Sequence, residues 1–272
     1  MINFTINQQL CTRCGTCVAD CPAMIIAMEN SFPAIAPENE PACYKCQHCL
    51  AVCPTGAVSI LGCKPTGSRP LAGGYPAPGK LEMLIKGRRS VRRYKDENLD
   101  PALVQHLLEV AGHAPSGRNI RQVRFTVVDD RDKMAALREE VMTGLVRLVK
   151  DNALPDGLSF YADFIALWEK ERYDVIFRNA PHLLITSAPS SVATPLPDCL
   201  IALSYFELFA QANGVGTVWS GLAKVAINDL LPVIRQRLGI PDDHLIGYAM
   251  AFGRPAITYA RTTQHGAIIH RV

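Results

Sequence analysis

Eight of the ten cysteines lie between Cys11 and Cys53, in two copies of one pattern: CTRCGTCVADCP from Cys11 and CYKCQHCLAVCP from Cys43. Both read C-x2-C-x2-C-x3-C-P, a duplication too regular for chance. Residues 64 to 272 hold one further cysteine, Cys199. Secreted disulfide scaffolds are short and cysteine-dense throughout, so the crowding points to metal-ligating thiolates in a reducing, cytoplasmic setting. The start, MINFTINQQLC, lacks the basic and apolar regions of a signal peptide. The longest apolar stretch, CLIALSYF, meets Glu207 well short of the roughly 18 to 20 residues that cross a bilayer. With 49% hydrophobic and 19% charged residues the chain is ordinary globular material, which excludes disorder as its main theme. A net charge of +3, dispersed along the chain, argues against nucleic acid as a partner.

Three closely spaced cysteines let one loop wrap three corners of an iron–sulfur cube. The repeat resembles two-cluster bacterial ferredoxins, in which the fourth ligand, the Cys-Pro cysteine, serves the other cluster. That resemblance implies one [4Fe-4S] cluster on Cys11, Cys14, Cys17 and Cys53, and a second on Cys43, Cys46, Cys49 and Cys21. Pro22 and Pro54 would stiffen the backbone after each fourth ligand, and Gly15 would permit close approach to the sulfide surface. Zinc is the alternative, but zinc sites close with four ligands from pairs on longer loops and give the third C-x2-C step no role. Cys63 and Cys199 fall outside the pattern and read as packing residues. Residues 1–62 carry two basic side chains (Arg13, Lys45) against four acidic ones (Asp20, Glu29, Glu38, Glu40). Two oxidised clusters of about −2 each would take this net −2 to roughly −6.

Domain boundaries follow from composition. Residues 1–62 form the cysteine domain, and residues 63–80, with four prolines and four glycines, read as a linker unable to sustain a helix or central strand. Residues 81–272 alternate helices and strands. Asp100 is placed as an N-cap with Pro101 at the first helical position, Leu103, Val104, Leu107, Leu108 and Ala111 share a face, and Gly112 ends the helix. A second helix follows Asp130, with Met134, Leu137, Val141, Leu145 and Leu148 at helical spacing. Residues 198–212 are apolar nearly all round, as in a helix buried on every side in a core or a subunit interface. Strands are expected at Val123–Val128, His182–Thr186, Val215–Trp219 and Leu245–Phe252. The fold class is α+β.

Lys86 to Arg93 places five basic residues in eight around Ser90, a pattern that is either a solvated charged face or an anion site of guanidiniums and a hydroxyl. APSGRNIRQ follows at Ala114 to Gln122, directly after the helix ending at Gly112. Together with VWSGL (Val218 to Leu222), FGRP (Phe252 to Pro255) and Tyr259–Arg261, these motifs resemble, in order, those of the nitroreductase family of FMN enzymes. The likeness spans about Leu81 to Val272. It implies a mixed sheet flanked by helices, in an intertwined homodimer. Position by position, Arg88, Arg89 and Ser90 would hold the FMN phosphate and ribityl oxygens, Arg261 would close the phosphate site, and Arg92 would reach the pyrimidine edge of the ring. Pro115, Ser116, Gly117 and Asn119 would contact the FMN of the partner subunit, and Ser220 and Gly221 would approach the flavin through backbone groups. Where the family continues Q-P-W, this chain has Gln122-Val123-Arg124, which leaves the substrate wall unassigned. His113 reads as a loop histidine, and no general acid stands out.

Joined, the two halves imply an FMN-dependent oxidoreductase in which single electrons pass through two [4Fe-4S] clusters to reduce a small acceptor, such as a nitroaromatic or a quinone. An external ferredoxin or NAD(P)H would be the donor. Two alternatives stand beside it: a module relaying electrons between such a donor and a protein partner, and a dehalogenase- or dehydrogenase-type variant of the same fold. The segment from about Asp151 to Arg178 is the expected cap over the flavin face.

Overall fold

The computed structural model describes residues 2–272. The chain packs as two units, Met1–Pro76 with Arg118–Ile120, and Ala77–Gly117 with Arg121–Val272.

The first unit carries the duplication into its backbone. Strand β1 (Thr5–Ile6) leads to helix α1 (Thr16–Ala19); β2 (Ala27–Glu29) and β3 (Phe32–Ala34) follow, then α2 (His48–Ala51) and β4 (Val58–Ser59). Positive φ angles recur at matched places, 60° at Arg13 and 53° at Lys45, 73° at Gly15 and 60° at Gln47, each pair 32 residues apart. Each cysteine loop thus turns through the same left-handed steps into a one-turn helix. Gly15 answers to this backbone geometry: no atom lies within 4 Å of where its Cβ would be, and Gln47 adopts the same conformation. β1 pairs antiparallel with β4, which ties the first copy to the second. β2 and β3 make a hairpin whose two-residue turn, Asn30 and Ser31, has φ of 47° and 68°, the sign that the twist of paired strands favours. Ile2, Ile25, Ile26, Leu50, Val58 and Ile60 form the core, with Cys17 and Cys49 among them.

The second unit opens with α3 (Pro78–Gly87), whose first turn takes the last residues of the proline- and glycine-rich stretch. Its proline and glycine density predicts a linker unable to sustain a helix, but Pro78 sits at a helix start, where its missing N–H has no intrahelical partner to lose. Next come α4 (Pro101–Ala111), β5 (Arg124–Val128), α5 (Arg131–Lys150), α6 (Tyr161–Glu171), β6 (His182–Pro189), α7 (Pro195–Ala212), β7 (Gly216–Trp219), α8 (Gly221–Val225), α9 (Pro232–Arg237) and β8 (His244–Gly253). Asp100 caps α4 by accepting from Ala102 N, and Asp130 caps α5 by accepting from Asp132 N and Lys133 N. The sheet runs β5-β6-β8-β7 with antiparallel ladders, and a single parallel bridge joins Ser90 to Thr217. β6 is buried on both faces because each face has its own core. Leu183, Ile185, Ala249 and Ala251 pack with residues of α5 and α6, whereas Leu184, Met250 and Phe252 pack with residues of α4 and α7. Helix α7, read as buried all round, buries one side in this chain and leaves Leu196, Ile201 and Tyr205 exposed. Among the described residues no helix is long and apolar enough to cross a membrane.

His182, at the start of β6, is fully buried, and its Nε2 accepts from Leu99 N at 3.0 Å. The proton therefore sits on Nδ1, which has no partner. Burial holds its pKa below the ordinary value, partly offset by Asp129 and Asp130. Because the folded state resists protonation, the stability this neutral ring contributes is complete above the unfolded pKa of about 6.5 and is lost as pH falls toward the folded value. Denaturant titrations should show stability falling below pH 6.5 by at most about 1.4 kcal/mol per pH unit from this group. In His182→Gln that component should vanish, and an unchanged pH profile in the variant would assign the titration elsewhere.

Candidate functional site

The duplicated loops bring their thiols together in two places. Cys11, Cys14, Cys17 and Cys53 line one cavity, and Cys21, Cys43, Cys46 and Cys49 line another, so each takes three cysteines from one copy and the Cys-Pro cysteine of the other. All ten cysteines are free of disulfides. Four thiols around one cavity, three of them from a single C-x2-C-x2-C run, are a donor set that fits an iron–sulfur cube. Burial pushes the Cys49 thiol up to about 11 and also raises that of Cys17, whereas a hydrogen bond from Thr16 leads a set that lowers Cys14. Cys63 lies outside both cavities, with its thiol 3.9 Å from Leu61 O. Cys199 is fully buried in α7, where a Cβ on Gly247 would meet its Cβ at 2.2 Å, so it is a packing residue.

In the second unit the segment Arg88 to Arg92 runs beside β7, with Val91 N donating to Thr217 O at 2.8 Å. Arg88 Nη1 lies 3.1 Å from Glu207 Oε1, which also accepts from Thr217 Oγ1 at 3.3 Å. Arg89 donates through Nη2 to Lys86 O, but its Nε is buried without a partner. An orphaned guanidinium N–H, on the residue next in sequence to a second, oriented arginine, fits an anionic oxygen. Arg92 is exposed and donates to Ser90 O at 3.3 Å, and Tyr259 Oη lies 3.4 Å from the same carbonyl. Arg261 is exposed beyond the last strand.

The loop after α4 is fixed from α7. Asp198, almost wholly buried, accepts from Gly117 N and from Thr194 Oγ1, both at 3.0 Å. A side chain at Gly117 would strike Thr194 Oγ1 at 2.2 Å, which explains the glycine. Pro115 and Ser116 line a cavity of about 180 Å³ with Arg121, Phe125 and Asp198; the Arg88 to Arg92 segment forms no part of its wall. Arg118–Ile120 pack with the first unit, where Asn119 Nδ2 donates to Tyr44 O at 3.0 Å. Ser220 caps α8: its hydroxyl accepts from Ala223 N at 3.0 Å and donates to Ile176 O at 2.8 Å. Its own N–H goes to Ala249 O, and its carbonyl accepts from Lys224 N. Gly221 is covered by Tyr248, whose hydroxyl a Cβ would meet at 2.8 Å.

Residues 85–254 match the Nitroreductase family, well over half of the chain. The chain belongs to the nitroreductase family. Residues 10–58 match a 4Fe-4S dicluster domain, placed ahead of the nitroreductase domain. Similar curated proteins include a 4-nitrobenzoate reductase from Nocardioides, 25% identical over 68% of this chain and 84% of that protein. An iodotyrosine deiodinase from Thermotoga neapolitana is 27% identical over 50% of this chain and 70% of its own. Among solved structures, an FMN-bound nitroreductase from Bacteroides fragilis superposes with a TM-score of 0.57 at 23% identity, covering 71% of this chain and 99% of that one, a likeness of fold.

Several residues that organise the nitroreductase domain went unseen in the sequence reading. Glu207 orients Arg88, Asp198 fixes Gly117, and Tyr248 covers Gly221. Glu207 left the clearer signal, as the charge inside the apolar run from Cys199 to Phe209 of α7, with Asp198 at the head of that run. The segment from Asp151 to Arg178, expected as a cap, contains α6, in which Tyr161, Ile165 and Trp168 are buried and Tyr161 Oη donates to Leu222 O at 2.7 Å.

Proposed function

We propose that this chain is a homodimeric FMN-dependent oxidoreductase that passes single electrons through two [4Fe-4S] clusters, on Cys11, Cys14, Cys17 and Cys53 and on Cys21, Cys43, Cys46 and Cys49, to a small acceptor of the nitroaromatic or quinone class. The observation that carries it is the pair of four-cysteine cavities on one chain with a nitroreductase domain. FMN accepts electrons singly or in pairs, so it supplies the step between one-electron carriers and a two-electron reduction. The chain's own residues bind and orient. Arg88, held by Glu207, and Arg89, with its free Nε, take the phosphate; Ser90 lies between them and Arg92; Arg261 closes the phosphate side. Arg92 places a cation at the pyrimidine edge, where it favours the reduced, anionic ring. Pro115, Ser116, Gly117 and Asn119 serve the flavin of the partner subunit. Gly221 offers its backbone to the ring, and Ser220, whose N–H is engaged and whose carbonyl already accepts from Lys224 N, contributes through that carbonyl's second lone pair. Exposed Ile201 and Tyr205 on α7 and Leu81, Met83 and Ile85 on α3 support an apolar subunit interface.

Anaerobically purified protein should contain about eight irons with matching sulfide and about one FMN per chain. Zinc, or iron without flavin, defeats the reading. A reduced ferredoxin should reduce the flavin in the absence of NAD(P)H, and 4-nitrobenzoate or a quinone should then reoxidise it. Rapid flavin bleaching by NADH alone would remove the need for a ferredoxin donor. The iodotyrosine deiodinase relative makes reductive dehalogenation the second chemistry to assay.

A further inference from the structure

The duplication supplies its own control, since every position of the first copy can be set against the one 32 residues on. Arg13 and Lys45 place a cation at the same point of each loop. Backbone N–H groups reach thiols in both sets, among them Ala57 to Cys53 at 3.2 Å and Lys45 to Cys43 at 3.4 Å. The side-chain hydroxyls are not matched. Thr12, Thr16 and Thr55 line the cavity of Cys11, Cys14, Cys17 and Cys53; Thr16 Oγ1 donates to Cys14 Sγ at 3.2 Å, and Thr55 Oγ1 lies 3.8 Å from Cys53 Sγ. Their counterparts are Tyr44, His48 and Ala23, and among the described residues none of these bonds to a thiol. The second cavity is walled instead by Ile25, Ile26, Ile35 and Ile60. His48 Nδ1 lies 3.3 Å from Asp20 Oδ2, so any charge it carries faces an opposite one. Exposure runs the same way: Cys14 is exposed, and no thiol of the other set is.

We propose that Thr16 and Thr55 make the two clusters unequal, giving the one on Cys11, Cys14, Cys17 and Cys53 the higher redox potential. This rests on the two-cluster reading above. Reduction adds one negative charge to a cluster, and hydroxyl donors and solvent at its sulfurs stabilise that charge, whereas an isoleucine wall does not. One electron entering at either cluster then comes to rest on the first: the second gives up one electron, the first gains it, and no proton or bond changes hands. The resting place is the set that includes exposed Cys14.

The test is an anaerobic redox titration of the full chain with dithionite, followed by electron paramagnetic resonance of the reduced clusters. Two one-electron waves are expected. In Thr16→Val the higher wave should fall by at least a tenfold change in the oxidised-to-reduced ratio at fixed potential, about 59 mV, while the lower wave stays. Thr16→Ser should restore it, and Thr55→Val should lower the same wave by less. Ala23→Ser, which adds a hydroxyl beside Cys21, should raise the lower wave; it decides the matter if the valine variants lose iron. Coincident waves in a chain holding about eight irons, or a higher wave that ignores both threonine changes, overturn this inference alone. Zinc, or iron without sulfide, sinks the two-cluster reading and this inference with it.

Discussion

Asp174→Ala should cost about 3 to 5 kcal/mol of stability, the range for stranding one partner of a buried ion pair. The Asp174 carboxylate is fully buried and lies 3.0 Å from Arg138 Nε. Its oxygens also accept from Phe177 N at 2.7 Å and Asn179 N at 2.8 Å, and Arg138 Nη2 donates to Ala180 O at 2.9 Å. One carboxylate therefore holds the chain from 174 to 180, where Arg178 and Asn179 sit at positive φ (59° and 51°), before it enters β6. Ser220 donates to Ile176 in the same segment, so its loss also loosens the start of α8. Removing Asp174 leaves the partly buried Arg138 guanidinium without its counter-charge, and the N–H groups of Phe177 and Asn179 without their acceptor. Thermal unfolding should shift down by about 6 to 20 °C. Arg138→Met should cost less, because Asp174 keeps both backbone donors. A loss below about 1 kcal/mol in Asp174→Ala, or a larger one in Arg138→Met, would show that the carboxylate does not organise the loop.

How far such features can be read without coordinates depends on whether they are local. The cysteine spacing, the capping aspartate at 100 and the helical periodicity of α4 and α5 are written within a dozen residues and are legible from the sequence, whereas Asp130 reads there only as the residue before a helix, not as its cap. α6 was missed because its buried face, Tyr161, Ile165 and Trp168, is short and the segment around it carries exposed Phe160, Leu167 and Tyr173. The start of α3 was hidden by proline and glycine, which mark loops by frequency but allow a helix to begin. β6 runs three residues past the expected His182–Thr186, because polar Ser187 is buried with its apolar neighbours, and β8 runs one residue past Leu245–Phe252 at each end. What no local pattern shows is the long-range polar partner. Asp198 meets Gly117 across 81 residues and Arg88 meets Glu207 across 119.

That last pair yields the other large expectation, and two readouts separate its parts. Arg88→Met should weaken FMN binding about 10- to 100-fold, the worth of a charge-assisted hydrogen-bonded contact of roughly 1.5 to 3 kcal/mol. It should also lower the stability of flavin-free protein by about 2 kcal/mol, because the Glu207 side chain, 9% exposed, is left without its cation. The figure is below that for Asp174 because the Arg88 side chain is itself 30% exposed and water screens the pair. Adding Glu207→Gln removes the stranded charge while keeping an acceptor for Thr217 Oγ1. The double variant should therefore recover stability to within about 1 kcal/mol yet still bind FMN weakly. If Arg88 only props α7 against β7, stability and affinity will recover together. If it holds the phosphate, stability returns alone, and an FMN affinity within threefold of the parent in Arg88→Met would remove it from the flavin site altogether.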